Sequence, residues 1–105
     1  MNTFDDRKKS FEKKFQLDEE LQFKVSARSN KYLGEWASSL LGKSGEDEKK
    51  YILEIIKTDL EEAGQEDVFR KIKKDFQKNL INISEQEIRD QIGKALLRAK
   101  EDFKK

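Results

Sequence analysis

Three phenylalanines and the charged residues around them form a distinctive pattern near the N-terminus. Phe4, Phe11 and Phe15 are separated by seven and four residues. At about 100° per residue, these spacings rotate the rings by about −20° and +40°, so all three share one narrow helix face. Five basic and three acidic residues give residues 1–17 a net charge of +2. A basic helix with an aromatic face is typical of a ligand that binds in a partner's groove.

We therefore predict that residues 1–17 form an arm that binds a partner. Burial of three Phe side chains does not offset the entropy lost when about fourteen residues become ordered, and an isolated helix of this length is marginal. The arm is thus expected to be disordered when free and to become helical on its partner. The residues alone also allow the arm to extend the first helix of the domain, or to form a short fifth helix.

The sequence lacks the residues on which most catalytic sites depend. It contains no histidine and no cysteine, so a Ser–His nucleophile, a thiol and a histidine pH switch are excluded, and a zinc site would need carboxylates alone. No phosphate-binding loop, dinucleotide fingerprint or HExxH motif occurs. Three of the four acidic pairs lie at predicted helix starts, where negative charge is stabilising, and Glu61-Glu62 is interpreted as solvated surface. We predict a protein that is not an enzyme and holds no metal or cofactor.

Four apolar stripes at helical spacing follow the arm and must position it. They predict helices over residues 18–41, 45–63, 66–79 and 85–104, which together form a domain spanning residues 18–105. The chain has no proline that would interrupt them, and the connections are short, so consecutive helices should be neighbours. The predicted fold is all-α: a four-helix bundle-like domain preceded by a flexible N-terminal arm.

Capping signals and individual apolar residues define these helices further. Asp18, Ser44 and Ser84 are predicted N-caps, and Ser84 has a Glu three residues later, as in a capping box. Gly42 is predicted to end the first helix in a left-handed conformation. Gly34, inside the first helix, suggests close approach of another helix. The inward-facing stripes include Leu21 and Leu40 in the first helix and Leu60 in the second.

The overall composition restricts the partner and the location. Charged residues make up 43% of the chain, yet the net charge is only +1. The chain therefore does not have the excess of basic residues that is typical of a nucleic-acid binder. No apolar run approaches the length of about 18 residues that a membrane span needs, and no signal peptide is recognisable. We expect a cytoplasmic protein that neither enters the membrane nor binds nucleic acid, and that is a monomer when free.

Several blocks of the sequence, taken together, resemble a known family. The blocks are FDDR at residues 4–7, the FE…KF element at residues 11–15, LGEWA at residues 33–37, and EEAGQEDVFRK at residues 61–71. They are similar, in the same order, to the zeta inhibitor subunit family of alphaproteobacterial F-type ATP synthases. The similarity is collinear from Phe4 to about Asp75 and becomes looser beyond it.

The resemblance implies a function for the arm. In this family a disordered N-terminal segment becomes helical and inserts at a catalytic α/β interface of the ATPase head, reaching toward the central shaft. Rotation in the hydrolytic direction is then blocked, while the four-helix domain stays outside and anchors the arm. The implied partners are the alpha, beta and central shaft subunits, which would place the protein at the periphery of the inner membrane. The implied partner-binding residues are Phe4, Asp5, Asp6, Arg7, Lys8, Lys9, Phe11, Glu12, Lys14 and Phe15.

Two other functions remain open at this stage. The domain is alternatively a helical adaptor or a nucleotide sensor without inhibitory activity, in which surface cations such as Arg70 and Lys71 bind adenine nucleotide weakly. The arm is alternatively a membrane-surface binder, although its three acidic residues weaken attraction to anionic lipid. If the chain is an inhibitor, the absence of histidine predicts little pH dependence between pH 6 and 8. Tethering predicts that the isolated arm inhibits more weakly than the whole protein.

Overall fold

Four α-helices make up the structure of this chain, a computed structural model that describes residues 3–61 and 65–104, with side chains for residues 19–61 and 66–104. The helices are α1 (Thr3–Leu41), α2 (Glu46–Glu61), α3 (Gln65–Lys78) and α4 (Glu85–Asp102). The described residues contain no strand. The predicted all-α fold with four helices is therefore confirmed.

Each helix packs against its neighbours in sequence, and α4 closes the arrangement by packing against α1. The buried core draws on all four helices and includes Leu33, Ile55, Ile72, Phe76 and Ile88, each at most 2% exposed. Trp36 packs edge-on against Phe76, with ring centroids 5.5 Å apart. The predicted bundle-like domain is thus built around one continuous apolar core, as expected for helices with a single apolar stripe.

The first helix is longer than the predicted domain helix. α1 contains 39 residues and begins at Thr3, so the predicted arm and the first helix of the domain share one unbroken helical backbone. Asp18 lies inside α1 and is not at its N-terminus. The molecule measures 65 × 26 × 24 Å, and its length follows from α1, because 39 residues at about 1.5 Å each span about 58 Å.

Glycines allow the close packing and the sharp turn at α1. A Cβ added to Gly34 would lie 2.7 Å from Ile52 Cγ1, which confirms that another helix, α2, approaches closely there. Gly42 ends α1 with φ at +72°, as predicted, and the Lys43 N–H donates to the carbonyl of Ser38 at 2.9 Å. This bond back into the last turn satisfies a carbonyl that would otherwise lack a helical partner.

The start of α4 follows the capping pattern of the sequence, whereas the start of α2 and the end of α3 do not. Ser84 caps α4 as predicted, because its side chain accepts a hydrogen bond from the Glu87 N–H at 3.1 Å. The prediction that Ser44 caps α2 is wrong: α2 begins at Glu46, directly after Gly45, which has φ at +59°. At the end of α3, Leu80 adopts a left-handed conformation with φ at +58°, which is unfavourable for a bulky residue.

Candidate functional site

The residues predicted to bind the partner all lie on the N-terminal part of α1. Their backbone is helical from Thr3 onward, the conformation predicted for the bound arm. Their side chains lie outside the described part of the structure, so their roles, and disorder of the free arm, stay predictions. The residues concerned are Phe4, Asp5, Asp6, Arg7, Lys8, Lys9, Phe11, Glu12, Lys14 and Phe15.

α1 leaves the core a short distance before this segment. Val25, at 8% exposure, is the first residue of α1 whose described side chain is buried, and residues 19–24 are all exposed. We call residues 19–28 the root of the arm. Residues 3–24 extend over about 33 Å at 1.5 Å per residue. Among the residues with described side chains, burial of α1 in the bundle therefore begins at Val25.

Three leucines predicted to face the core are instead exposed. Leu21 is 43% exposed, Leu40 39% and Leu60 62%. Leu21 lies at the root, and Leu40 and Leu60 lie in the last turns of α1 and α2. Leu40 and Leu60 lie where an apolar stripe continues to a helix end, whereas Leu21 lies just before the first buried residue of α1 that is described, Val25. Burial near a helix end depends on the lengths of the other helices, which periodicity does not specify.

The end of α4 is tied to the root by a cluster of polar and aromatic contacts. Arg28 Nη1 lies 3.3 Å from Asp102 Oδ2, and the hydroxyl of Tyr32 donates to the same carboxylate. The Arg28 guanidinium lies over the Phe103 ring, 5.3 Å from its centroid. The Arg98 guanidinium lies 3.8 Å from the centroid of the Tyr32 ring. These contacts fix the direction in which α1 leaves the bundle.

Two apolar grooves flank the root, and sequence reasoning did not anticipate them. One lies between α1 and α2 and is lined by Phe23, Leu53 and Phe103, among others. The other lies between α1 and α4, where Leu21 and Leu96 line it together with Phe103. Phe23 and Leu53 are 58% and 63% exposed. The sequence did contain a signal for this groove: Phe23 and Leu53 are large apolar residues that fall outside the predicted inward-facing stripes.

A polar cleft lies between α2 and α3, and several of its charged side chains are paired with one another. The Tyr51 hydroxyl donates to Asp75 Oδ2 at 2.8 Å. Lys71 Nζ donates to Glu54 at 2.9 Å and to Asp75 at 3.1 Å. Arg70 contacts Asp67 one turn away. An anion that binds beside Arg70 or Lys71 must therefore compete with these carboxylates.

Burial and charge shift two pKa values in this cleft. Burial, with help from the hydrogen bond to Asp75, raises the pKa of Tyr51 well above its usual value. Burial alone would lower the pKa of Lys71, but hydrogen bonds to Glu54 and Asp75 outweigh it, and the pKa is raised. Tyr51 therefore stays neutral and Lys71 stays charged near neutral pH. This arrangement joins α2 to α3 and supplies neither a general base nor a nucleophile.

Two other kinds of site are absent from residues 3–61 and 65–104. No group of three or more acidic side chains there is arranged to hold a metal ion. None of the described helices is both long and apolar enough to cross a membrane.

Comparison with known proteins identifies a family for the whole length of the chain described above. The family model described as ATPase inhibitor subunit zeta matches residues 1–102. A comparison with curated proteins found no match. The family match covers the arm, the root and all four helices.

Proposed function

Because the chain belongs to the ATPase inhibitor subunit zeta family, we propose that it inhibits ATP hydrolysis by an F-type ATP synthase through its N-terminal arm. In this proposal the arm inserts as a helix at a catalytic α/β interface of the ATPase head and reaches toward the central shaft. The four-helix domain stays outside. The inserted helix blocks rotation in the hydrolytic direction, and hydrolysis stops because catalysis is coupled to rotation.

The observation that supports this proposal best is the continuity of α1. One helix of 39 residues contains both the arm and the root, and among its residues with described side chains, 19–24 are exposed and burial begins at Val25. A helix that projects by about 33 Å is long enough to enter an interface between subunits while the bundle remains at the surface. A globular domain alone has no comparable element for insertion.

The composition of the arm suits insertion into a protein interface. Phe4, Phe11 and Phe15 share one helix face in the sequence pattern and would provide the buried anchors, since aromatic residues dominate the energy of most interfaces. Arg7 and Lys14, with the other charged residues of the arm, would pair with groups at the rim. Contacts with the partner would also offset the entropy lost when the arm becomes ordered, because the free arm lacks such contacts.

In this proposal the bundle also tethers the arm to the ATPase head. While the bundle is docked on the head, the arm is held near its site at a raised effective concentration. The contacts of Arg28 and Tyr32 with Asp102 hold the root in one direction relative to α4. The bundle thereby restricts the space that the arm searches, and this favours insertion without new contacts in the inserted segment.

The proposal is tested by measuring ATP hydrolysis by the cognate ATPase head with the full chain and with a variant that lacks residues 1–17. A point variant, Phe11→Ala, tests the anchor, and Leu97→Ala is its matched control because Leu97 is a 61% exposed apolar residue on α4. We expect inhibition by the full chain and by Leu97→Ala, strongly weakened inhibition by Phe11→Ala, and none by the shortened variant.

The other outcomes have distinct meanings. Inhibition by both the full chain and the shortened variant would show that the bundle carries the activity and that the arm assignments are wrong. No inhibition by either would favour the adaptor or nucleotide-sensing function. Binding of the full chain to anionic vesicles, lost on removal of residues 1–17, would favour the membrane-surface function of the arm.

A further inference from the structure

The groove between α1 and α2 at the root of the arm has the composition of a docking site. Its apolar lining leaves Phe23 58% exposed and Leu53 63% exposed, which is unusual for large apolar side chains that lie side by side. The groove is shallow and lies between α1 and α2, with Phe103 at its edge. The apolar side chains that line it are Phe23, Ala27, Ile52, Leu53, Ile56 and Phe103.

Every charged side chain among the described residues that line this groove is basic. They are Lys24, Arg28, Lys31 and Lys49. Arg28 is engaged by Asp102 at 3.3 Å, and Lys49 lies 3.6 Å from Glu46, with both side chains more than two-thirds exposed. Lys24 and Lys31 have no carboxylate within 4 Å among the described residues. The groove therefore combines an apolar floor with a positively charged rim.

The neighbouring groove repeats this pattern on the other side of α1. Phe103 lines both grooves, and the charged residues of the second are Lys100 and Lys104. The cleft between α2 and α3 is different, since acidic side chains line it as well as basic ones, and Lys71 is paired there with Glu54 and Asp75. The two grooves whose described charged side chains are all basic thus flank the root of the arm, although the whole chain carries a net charge of only +1.

We propose that the α1–α2 groove binds an acidic amphipathic helix on the outer surface of the ATPase head. This inference rests on the proposed function, and it names the kind of surface on which the bundle docks. An amphipathic helix presents an apolar stripe to the floor of such a groove, and its flanking carboxylates meet the basic rim. Binding next to the root places the docking contact where α1 continues into the arm, so docking and insertion occur on one rigid element.

Charge complementarity separates this occupant from the nearest alternative in the chain itself. The arm carries a net charge of +2, so a fold-back of the arm onto the groove would bring like charges together, which is unfavourable. A flat anionic membrane also matches the charge of the rim, but the membership of the chain in an ATPase inhibitor family favours a protein occupant. Both alternatives give outcomes that the experiments below detect.

The first experiment reverses charge at the rim of the groove in the full chain. Lys31→Glu with Lys49→Glu alters the groove, and Lys50→Glu with Lys94→Glu is the matched control, because it makes the same change in net charge at exposed lysines that do not line this groove. Far-UV circular dichroism verifies the fold of both variants. Binding of each variant to the cognate ATPase head is measured directly, alongside inhibition of hydrolysis.

We expect binding and half-maximal inhibition by the groove variant to require roughly tenfold more protein, since each reversal replaces an attraction by a repulsion. Complete inhibition should still be reached, because the arm is intact. The control should differ from the unaltered chain by less than about twofold. The salt dependence of binding should also be smaller for the groove variant, since fewer rim charges take part. Equal binding by the two variants would overturn the proposal.

Direct binding keeps this test separate from the test of the proposed function. If the full chain binds the head without inhibiting it, the proposed inhibition fails, and a tenfold loss of binding in the groove variant still supports the groove. If the chain inhibits and the groove variant binds as the control does, the docking site is wrong and the inhibitory function stands. If the full chain does not bind the head at all, both proposals fail.

The second experiment identifies the occupant. The chain contains no cysteine, so Leu53→Cys in the full chain provides a unique site for a photoreactive cross-linker in the groove. Cross-linking in the presence of the ATPase head should capture a helical segment rich in Asp and Glu. Cross-linking to the chain's own arm, to a second copy of the chain, or to anionic phospholipid vesicles in preference to the head would overturn the assignment.

Discussion

Two glycines in helical positions should respond to the same substitution in opposite directions. Gly34 lies in α1 against Ile52, and Gly93 lies in α4 with no atom within 4 Å of an added Cβ. Gly→Ala in an exposed helix interior stabilises by about 1 kcal/mol, because the unfolded chain loses freedom and the helix gains propensity. Gly93→Ala should therefore raise the free energy of unfolding by about 1 kcal/mol.

At Gly34 the same methyl group meets an obstacle. It would lie 2.7 Å from Ile52 Cγ1 and 3.1 Å from Ile52 Cα, whereas carbon atoms in favourable contact are about 3.5–4.0 Å apart. A rotamer change alone does not resolve this, because a β-branched side chain is stiff at χ1 and because the backbone of α2 is itself too close. Overpacking of this kind costs about 1–3 kcal/mol. The gain in helix propensity of about 1 kcal/mol is subtracted from this cost. Gly34→Ala should therefore lower the free energy of unfolding by about 0–2 kcal/mol.

The two variants are compared by thermal and urea unfolding, followed by far-UV circular dichroism. The expected difference between them is about 1–3 kcal/mol, and each kcal/mol corresponds to about 4–8 °C in Tm for a domain of this size. Ile52→Ala removes Cγ1, so the Gly34→Ala substitution should cost less in that background, as a double-mutant cycle measures. If Gly34→Ala stabilises the protein as much as Gly93→Ala does, the close approach of α1 and α2 is refuted.

Three further predictions follow from the structure. Leu80→Gly should raise the free energy of unfolding by about 0.5–1 kcal/mol in urea titrations, because Leu80 has φ at +58° and is 91% exposed; a loss of stability would contradict this. The Tyr51 pKa is raised in the folded state, so its contribution to stability is complete below about pH 10 and is lost at higher pH. The free energy of unfolding should therefore decrease less steeply with rising pH above about pH 10 in Tyr51→Phe than in the unaltered chain. Equal slopes in the two proteins would refute the assignment. The concentration for half-maximal inhibition should change by less than about twofold between pH 6 and 8, because the chain has no histidine; a transition near pH 6.5 would contradict this.

Much of the architecture was predictable from the sequence because it depends on residues close together in the chain. The four helices follow from apolar periodicity, and the N-cap at Ser84 and the left-handed stop at Gly42 follow from local backbone chemistry. The apolar residues Val68, Phe69, Ile72 and Phe76, which recur at helical spacing in α3, are all buried. The partner-binding residues of the arm were also assigned from sequence, through helical spacing and family resemblance, and that assignment stays a prediction.

Only the tertiary structure decided which apolar residues remain uncovered and which polar residues pair across helices. Leu21 and Leu60 belong to regular stripes, yet they are exposed, because the cover of an apolar stripe depends on where the neighbouring helices begin and end. The groove at Phe23 and Leu53, and the hydrogen bond between Tyr51 and Asp75, each join positions on different helices. Periodicity determines the face of each helix, but the relative placement of two faces depends on packing between segments distant in sequence.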